Sequence, residues 1–181
     1  MPNYTLWTLL GEAMAVSTSA MRENAETKTN AAVRVRRVQA ADIANVITLD
    51  TRVTKLAKAE YWNDIFLRYG KQRHRERFFL VAENRADREG PRLLGFIIGE
   101  IRAWEFGSTP CGWVFALSVE PNMRLHGVGS ALLEAISTEF KKAGVNKMRT
   151  MVARDSRLPL LFFRSEGMMA GPNIQLEKDL D

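Results

Sequence analysis

A chain of 181 residues, 46% hydrophobic and 26% charged, is long enough to bury one substantial core and cramped for two domains, which excludes global disorder and fibrous repeats. The formal net charge of +5 admits an acidic partner, whether nucleic acid, an anionic membrane or a polyanionic cofactor. The single cysteine, Cys111, excludes an internal disulfide, and with only His74 and His126 beside it no metal is expected.

Residues 1–31 lack a sustained period and read as an N-terminal extension, with a short amphipathic helix over residues 4–16. Leu6, Trp7, Leu9 and Leu10 would be wasted in a free tail, so they are expected to dock on the domain or on a second subunit, which makes a homodimer one expectation. No positive charge precedes these apolar residues, Glu12 interrupts them, and no run approaches the roughly 18 residues of a membrane span. The chain is therefore expected in the cytoplasm without membrane association.

From Val33 the pattern changes. Val33 and Val35 alternate with Arg34 and Arg36, which predicts a strand, and Asp42 is expected to cap a helix carrying Ile43, Val46, Ile47 and Leu49 on one face. A second helix is predicted over residues 55–69, with Ala59, Trp62, Ile65, Phe66 and Tyr69 at helical spacing and Gly70 as its stop. Tyr61, Trp62, Phe66 and Tyr69 are assigned to the core ahead of a pocket. Arg68, Lys71, Arg73, Arg75 and Arg77 then gather with His74 against one acid, Glu76. A solvated basic loop is the plain reading and an acidic-substrate or protein-docking patch the second. Nucleic acid is disfavoured, because no base-stacking motif accompanies the charge.

Residues 78–82 and 93–101 are bulky apolar runs around a polar turn, which predicts a β-hairpin, and a turn at 107–110 leads into a third strand over 112–119. Beyond Pro121, the residues Val128, Leu132, Leu133, Ile136 and Phe140 keep helical spacing until Ala143 and Gly144. A strand is predicted at 147–153, a helix at 158–165 closed by Gly167, and a last strand at 174–180. The sum is an α+β domain over residues 32–181, a mostly antiparallel sheet with helices on both faces.

In this order a strand ending in Leu117, Ser118 and Val119 delivers a loop, and a helix begins inside that loop at Gly127 and Gly129. First-turn amides lack intrahelical partners, the helix dipole adds about half a positive charge, and glycine lets an anion approach the backbone. Arg124, Leu125, His126, Gly127, Val128, Gly129 and Ser130 therefore suit a phosphate or diphosphate, with Arg124 adding a charge-assisted contact and Ser130 a hydroxyl. The alternative role for the glycines is a loop and a helix start, and His126 is read as loop scaffold or phosphate contact. A dinucleotide fingerprint fails at Leu132 and the P-loop lysine is absent.

The run Val119-x-Pro121-x-x-Arg124-x-x-Gly127-Val128-Gly129-Ser130-x-Leu132-Leu133 resembles the signature segment of the GNAT superfamily of N-acetyltransferases. The likeness extends from Val33 to Leu180 through element order, the stretch from Gly95 to Gly99, the helix end around Phe163 and Gly167, and the closing Leu176-Glu177-Lys178. It implies the GNAT acyl-CoA N-acyltransferase fold, with acetyl-CoA as co-substrate and direct transfer to a primary amine of a small molecule or protein. By the same resemblance, the backbone of Leu117, Ser118 and Val119 binds the pantetheine arm at a splay between parallel strands. Residues 124–130 hold the pyrophosphate, and strand N–H groups stabilise the oxyanion.

The family's pattern is broken at two catalytic positions. Attack needs a neutral amine, and a lysine-like amine has a pKa of about 10.4, so something must accept its proton. The glutamate that many members place before the signature matches Trp113 here. Glu100 and Glu105 on the preceding strand are the substitute catalytic candidates, acting directly or through water, with a surface or ion-paired carboxylate as the alternative role. The tyrosine that often protonates the departing thiolate matches Phe163, and an asparagine near the start of that helix matches Ser156. Cys111 is assigned to the core and not to an acyl-enzyme. An intact CoA loop beside these losses makes a non-catalytic acyl-CoA sensor or docking module the rival reading, and a nucleic-acid-binding protein a third. The acceptor stays open among polyamine, aminoglycoside, amino acid, peptide N-terminus and protein lysine. The lack of an acidic cluster on the presumed acceptor helices speaks against polyamines.

Overall fold

A computed structural model describes residues 33–71, 75–85 and 93–180. The expected N-terminal extension and its amphipathic helix lie outside the described residues. Five strands form one sheet in the order β1 (Val33–Arg37), β2 (Arg77–Asn84), β3 (Leu93–Arg102), β4 (Cys111–Val119) and β5 (Met148–Thr150). β1 to β4 pair antiparallel with their sequence neighbours, and the helices are α1 (Ile43–Thr54), α2 (Ala59–Ile65), α3 (Val128–Lys142) and α4 (Arg157–Ser165). β5 follows β4 through α3, the crossover that a parallel neighbour requires. The described residues divide into two compact units between Arg149 and Thr150, and α4 belongs to the second. None of the described helices is long and apolar enough to cross a membrane.

The central strands are apolar on both sides because both sides are covered. On one, Val46 and Leu49 of α1 and Trp62 and Ile65 of α2 close over Phe79, Val81, Phe96 and Ile98, with the Trp62 ring edge-on to Phe96 at 5.0 Å. Its indole N–H donates to buried Asp50 Oδ2 at 2.8 Å, so the one polar atom of this core tryptophan is satisfied. On the other side Leu132, Ile136 and Phe140 of α3 are buried, and Phe140 meets Phe78 edge-on at 5.4 Å. Glycine in the strands makes room for that helix. A Cβ at Gly99 would stand 2.8 Å from Phe140 Cζ, and one at Gly112 would stand 2.3 Å from Phe140 Cδ2. Burying each large apolar side chain in these two layers stabilises the fold by about 1.5–3 kcal/mol.

Five expectations are corrected. The second helix does not begin at residue 55: Lys55 ends α1 in a left-handed conformation (φ 62°), and α2 starts at Ala59. Nor does Gly70 stop it, since the last turn widens into a π-helix, Phe66–Lys71, and carries the chain past that glycine. Asp42 stands ahead of α1 but does not cap it, because its carboxylate accepts from both terminal guanidinium nitrogens of Arg36 (2.6 and 2.9 Å) and from the Gln39 N–H (2.7 Å) instead. The last predicted strand, residues 174–180, is irregular, with Ile174, Leu176 and Leu180 81%, 84% and 87% exposed, and β5 is three residues rather than seven. Alternation alone does not make a strand: its backbone groups need a ladder, and no described strand pairs with this segment.

Candidate active site

The residues expected to hold phosphate follow the end of β4. Leu117, Ser118 and Val119 pair with Ile97, Phe96 and Gly95 of β3 along one edge. On the outer edge, Gly112 N–H donates to Lys147 O at 2.8 Å, and β5 spans only three residues from there, so no described strand pairs with that edge of β4 from Leu117 to Val119. An open strand edge is what an extended, amide-bearing ligand can pair with. Ser118 Oγ is also buried with no hydrogen-bond partner among the described residues, a polar atom whose acceptor or donor is still to come.

Past Val119 the chain is fastened by Glu120, 6% exposed, whose N–H donates to Leu94 O and whose carboxylate pairs with Arg52. Leu125 and Gly127 then adopt left-handed backbone (φ 66° and 72°), which turns the loop into the start of α3. Successive backbone groups so arranged form a concavity lined by N–H donors. The first intrahelical bond runs from Ala131 N–H to Gly127 O at 2.9 Å, so the Val128 and Gly129 amides have no acceptor within the helix. His126 Nδ1 donates to Arg124 O at 2.8 Å, since a carbonyl only accepts, and this makes the ring a brace of the loop. Arg124 is exposed, and the Leu125 side chain is 103% exposed. The orphaned hydroxyl, the open edge and the N-terminal amides fit a pantetheine-linked diphosphate.

Across the sheet, Arg77, Glu100 and Trp113 stand directly opposite one another on β2, β3 and β4, hence on one face. The register shifts next to them: Ile98 pairs with Ala116 and Gly99 with Val114, leaving Phe115 as the extra residue of a bulge. The π-helical turn lays Tyr69 over this row, its ring edge-on to Phe115 at 5.3 Å and its hydroxyl donating to Glu100 Oε2 at 2.6 Å. Burial, then the hydrogen bond to Glu100, then that carboxylate's charge push the Tyr69 pKa up to about 12. Arg102 Nε donates to Glu100 Oε1 at 3.0 Å, and its guanidinium lies 4.6 Å over the Trp113 ring.

Of the two carboxylates singled out in the sequence, Glu100 sits in this row, whereas Glu105 lies beyond β3 on an exposed turn, 3.8 Å from Arg102. Trp62 is core, Phe66 and Tyr69 are partly buried against it, and Tyr61 is 45% exposed. Cys111 is buried, and Phe163 is the buried residue of α4. Sequence reading passed over Tyr69 as a partner of Glu100, and Arg77 and Arg102 as its neighbours. Strand alternation already put Arg77 and Glu100 on the faces of Phe79 and Ile98, but the π-helical turn that brings in Tyr69 left no signal. Among the described residues no cluster of His, Cys, Asp and Glu could hold a metal ion.

The sequence model described as the acetyltransferase (GNAT) family matches residues 43–162, which contain both the loop and the Glu100 row. Among solved structures, an aminoglycoside N-acetyltransferase in complex with CoA is similar at 13% identity and TM-score 0.69, covering 81% of this chain and 94% of that one. Glucosamine-6-phosphate N-acetyltransferase from Arabidopsis thaliana (16%, TM-score 0.63, 82% and 99%) and a transcriptional regulator from Bacillus halodurans C-125 (16%, TM-score 0.65, 82% and 99%) share the fold as well. No curated protein matches the chain. The family match spans well over half of the sequence and includes the strand, loop and helix described above, so the chain belongs to the acetyltransferase (GNAT) family.

Proposed function

We propose that this chain transfers the acetyl group of acetyl-CoA directly to a primary amine. In this reading residues 124–130 hold the diphosphate, the edge of Leu117, Ser118 and Val119 holds the pantetheine arm, and Glu100 is the proton acceptor. The observation that carries it is the loop itself: left-handed Leu125 and Gly127 open the start of α3 beside an unpaired strand edge and an orphaned Ser118 hydroxyl.

Acetyl-CoA, when bound, supplies a thioester. The amine nitrogen bonds the acetyl carbon, the carbon–sulfur bond breaks, CoA leaves as a thiolate, and the amine gives up one proton. Glu100 can take that proton directly or through water, because each carboxylate oxygen has a second lone pair beyond the one given to Tyr69 or Arg102. Support for an amine acceptor comes from the solved relatives, which are named for aminoglycosides and for glucosamine 6-phosphate. They differ in acceptor charge, so the fold leaves the acceptor open. The domain is taken as residues 32–181, with residues 1–31 as an extension that packs on it or on a second copy.

Free-thiol release from acetyl-CoA against a library of amines tests the reading, together with acetyl-CoA binding by thermal shift. Transfer to any amine supports it. Tight binding with no transfer to any of them overturns it in favour of an acyl-CoA sensor.

A further inference from the structure

The row of Arg77, Glu100 and Trp113 holds one carboxylate, and that carboxylate is already shared out. Tyr69 Oη donates to Glu100 Oε2 at 2.6 Å and Arg102 Nε to Glu100 Oε1 at 3.0 Å, with Arg102 also 3.8 Å from Glu105. Arg77 is left over. It is partly buried, its guanidinium carbon stands 5.3 Å from the Tyr69 ring centroid, and no carboxylate among the described residues reaches ion-pairing distance of it. The ring face attracts the charge but accepts none of the in-plane N–H donors of the guanidinium fork. Partly desolvated donors of this kind are satisfied best by a planar or tetrahedral oxyanion, which two parallel N–H groups grip at once.

Resting on the transferase reading above, we propose that the acceptor is an amine that also carries a carboxylate or phosphate, and that Arg77 binds this anion and so selects the substrate. The same wall is unfavourable for a polycation. Asp64, Glu100 and Glu105 are each paired with an arginine, Arg68 or Arg102, so none of these three carboxylates is left over for a second ammonium group.

The test compares kcat/KM by thiol release for matched acceptors: β-alanine against β-alaninamide, O-phosphoethanolamine against ethanolamine, and spermidine as the polycation. The anionic member of at least one pair is preferred by about tenfold or more, as expected for a charge-assisted hydrogen bond, and the pair that responds separates carboxylate from phosphate. In Arg77→Gln the preference collapses towards unity while the stabilisation by acetyl-CoA is kept. Should Arg77→Gln fail to fold, Arg77→Lys, which keeps the charge and loses the fork, still has to lower the ratio. Preference for spermidine or for the neutral members, or a ratio untouched by both substitutions, overturns the anion site and leaves the transferase reading standing. Acetyl-CoA binding with transfer to no amine overturns both.

Discussion

Tyr69 and Glu100 are joined by a 2.6 Å hydrogen bond across 31 positions of sequence, from a widened helical turn to the middle strand of the sheet. With its pKa held at about 12, the phenol stays protonated through the working range and serves as a donor that orients the carboxylate. Glu100→Gln is expected to lower kcat by about a hundredfold or more with acetyl-CoA affinity retained, the size of effect seen when a general base is lost. Burial, the largest cause of the raised Tyr69 pKa, is untouched by this substitution, but the carboxylate charge is lost and the remaining acceptor is a neutral amide, so the phenolate absorbance should titrate at lower pH, part of the way towards about 10. An unchanged rate removes Glu100 from the chemistry. There is a stability consequence too. The folded-state pKa of Tyr69 lies above the unfolded value of about 10, so its contribution is complete below that pH and is lost as the pH climbs towards about 12.

Acetyl-CoA at one hundred times its dissociation constant should stabilise the fold by about 2.7 kcal/mol, read as a rise in Tm. Gly129→Glu puts a side chain and a negative charge at the first turn of α3 and should abolish that rise. Gly127→Glu adds backbone strain, since φ is 72° there, so Gly129 is the cleaner probe. Cys111→Ala should leave binding unchanged, as Cys111 is buried at the far end of β4. Unaltered affinity in both glycine variants, with the fold intact, would remove the loop from the cofactor site.

Period and punctuation made much of this fold legible. The strands β1 to β4, α1 and α3 follow from alternation, helical spacing and the glycines that bound them, and the loop from residue 124 to 130 follows from its motif. What stayed hidden depends on partners distant in sequence. The π-helical turn places Phe66 and Tyr69 against the core, a contact that local spacing does not register, so the spacing reads as ordinary helix up to Gly70. Asp42 has the composition of a cap, yet Arg36 on β1 outcompetes the helix amides for its oxygens. Residues 174–180 alternate like a strand but have no neighbour among the described residues to pair with.

Asp42 offers a test of stability apart from catalysis. Its carboxylate is 12% exposed and accepts two bonds from Arg36, which also donates to Glu83 at 2.8 Å, so β1, β2 and the start of α1 meet at one guanidinium. Asp42→Ala leaves Arg36 with one carboxylate and the Gln39 amide with no side-chain acceptor. The expected loss is about 2–4 kcal/mol in urea denaturation, in the range for breaking a partly buried pair. Acetyl-CoA affinity of the folded variant should be unchanged.

The N-terminal extension is expected to act in packing or dimerisation. Leu6, Trp7, Leu9 and Leu10 are costly to leave in water, and the family match begins only at residue 43. Removing residues 1–31 should lower Tm or change the mass measured by light scattering. The same mass and the same Tm would reduce the extension to a tail.

If Trp113 and Phe163 stand at the family's base and acid positions, catalysis without those two groups leaves a signature in the pH profile. If Glu100 assists only weakly, turnover depends on how much amine is already neutral, and the rate should climb with pH until the acceptor's own pKa is approached. A strong internal base would instead flatten the profile at a pH set by the enzyme and shared by acceptors of different pKa, so two amines of unlike basicity distinguish the cases. Phe163→Tyr adds a hydroxyl to a residue 8% exposed, at a cost of about 1–3 kcal/mol if that group finds no partner. If it meets the departing sulfur it acts as a proton donor, and a thiolate of pKa near 8.5 leaves more readily with such help. The expected outcome is a kcat equal to or above that of the unsubstituted enzyme, with the gain largest at low pH, where the amine is least reactive and the donor fully protonated. A fall in kcat at every pH, in a variant whose Tm is unchanged, would remove Phe163 from the tyrosine position.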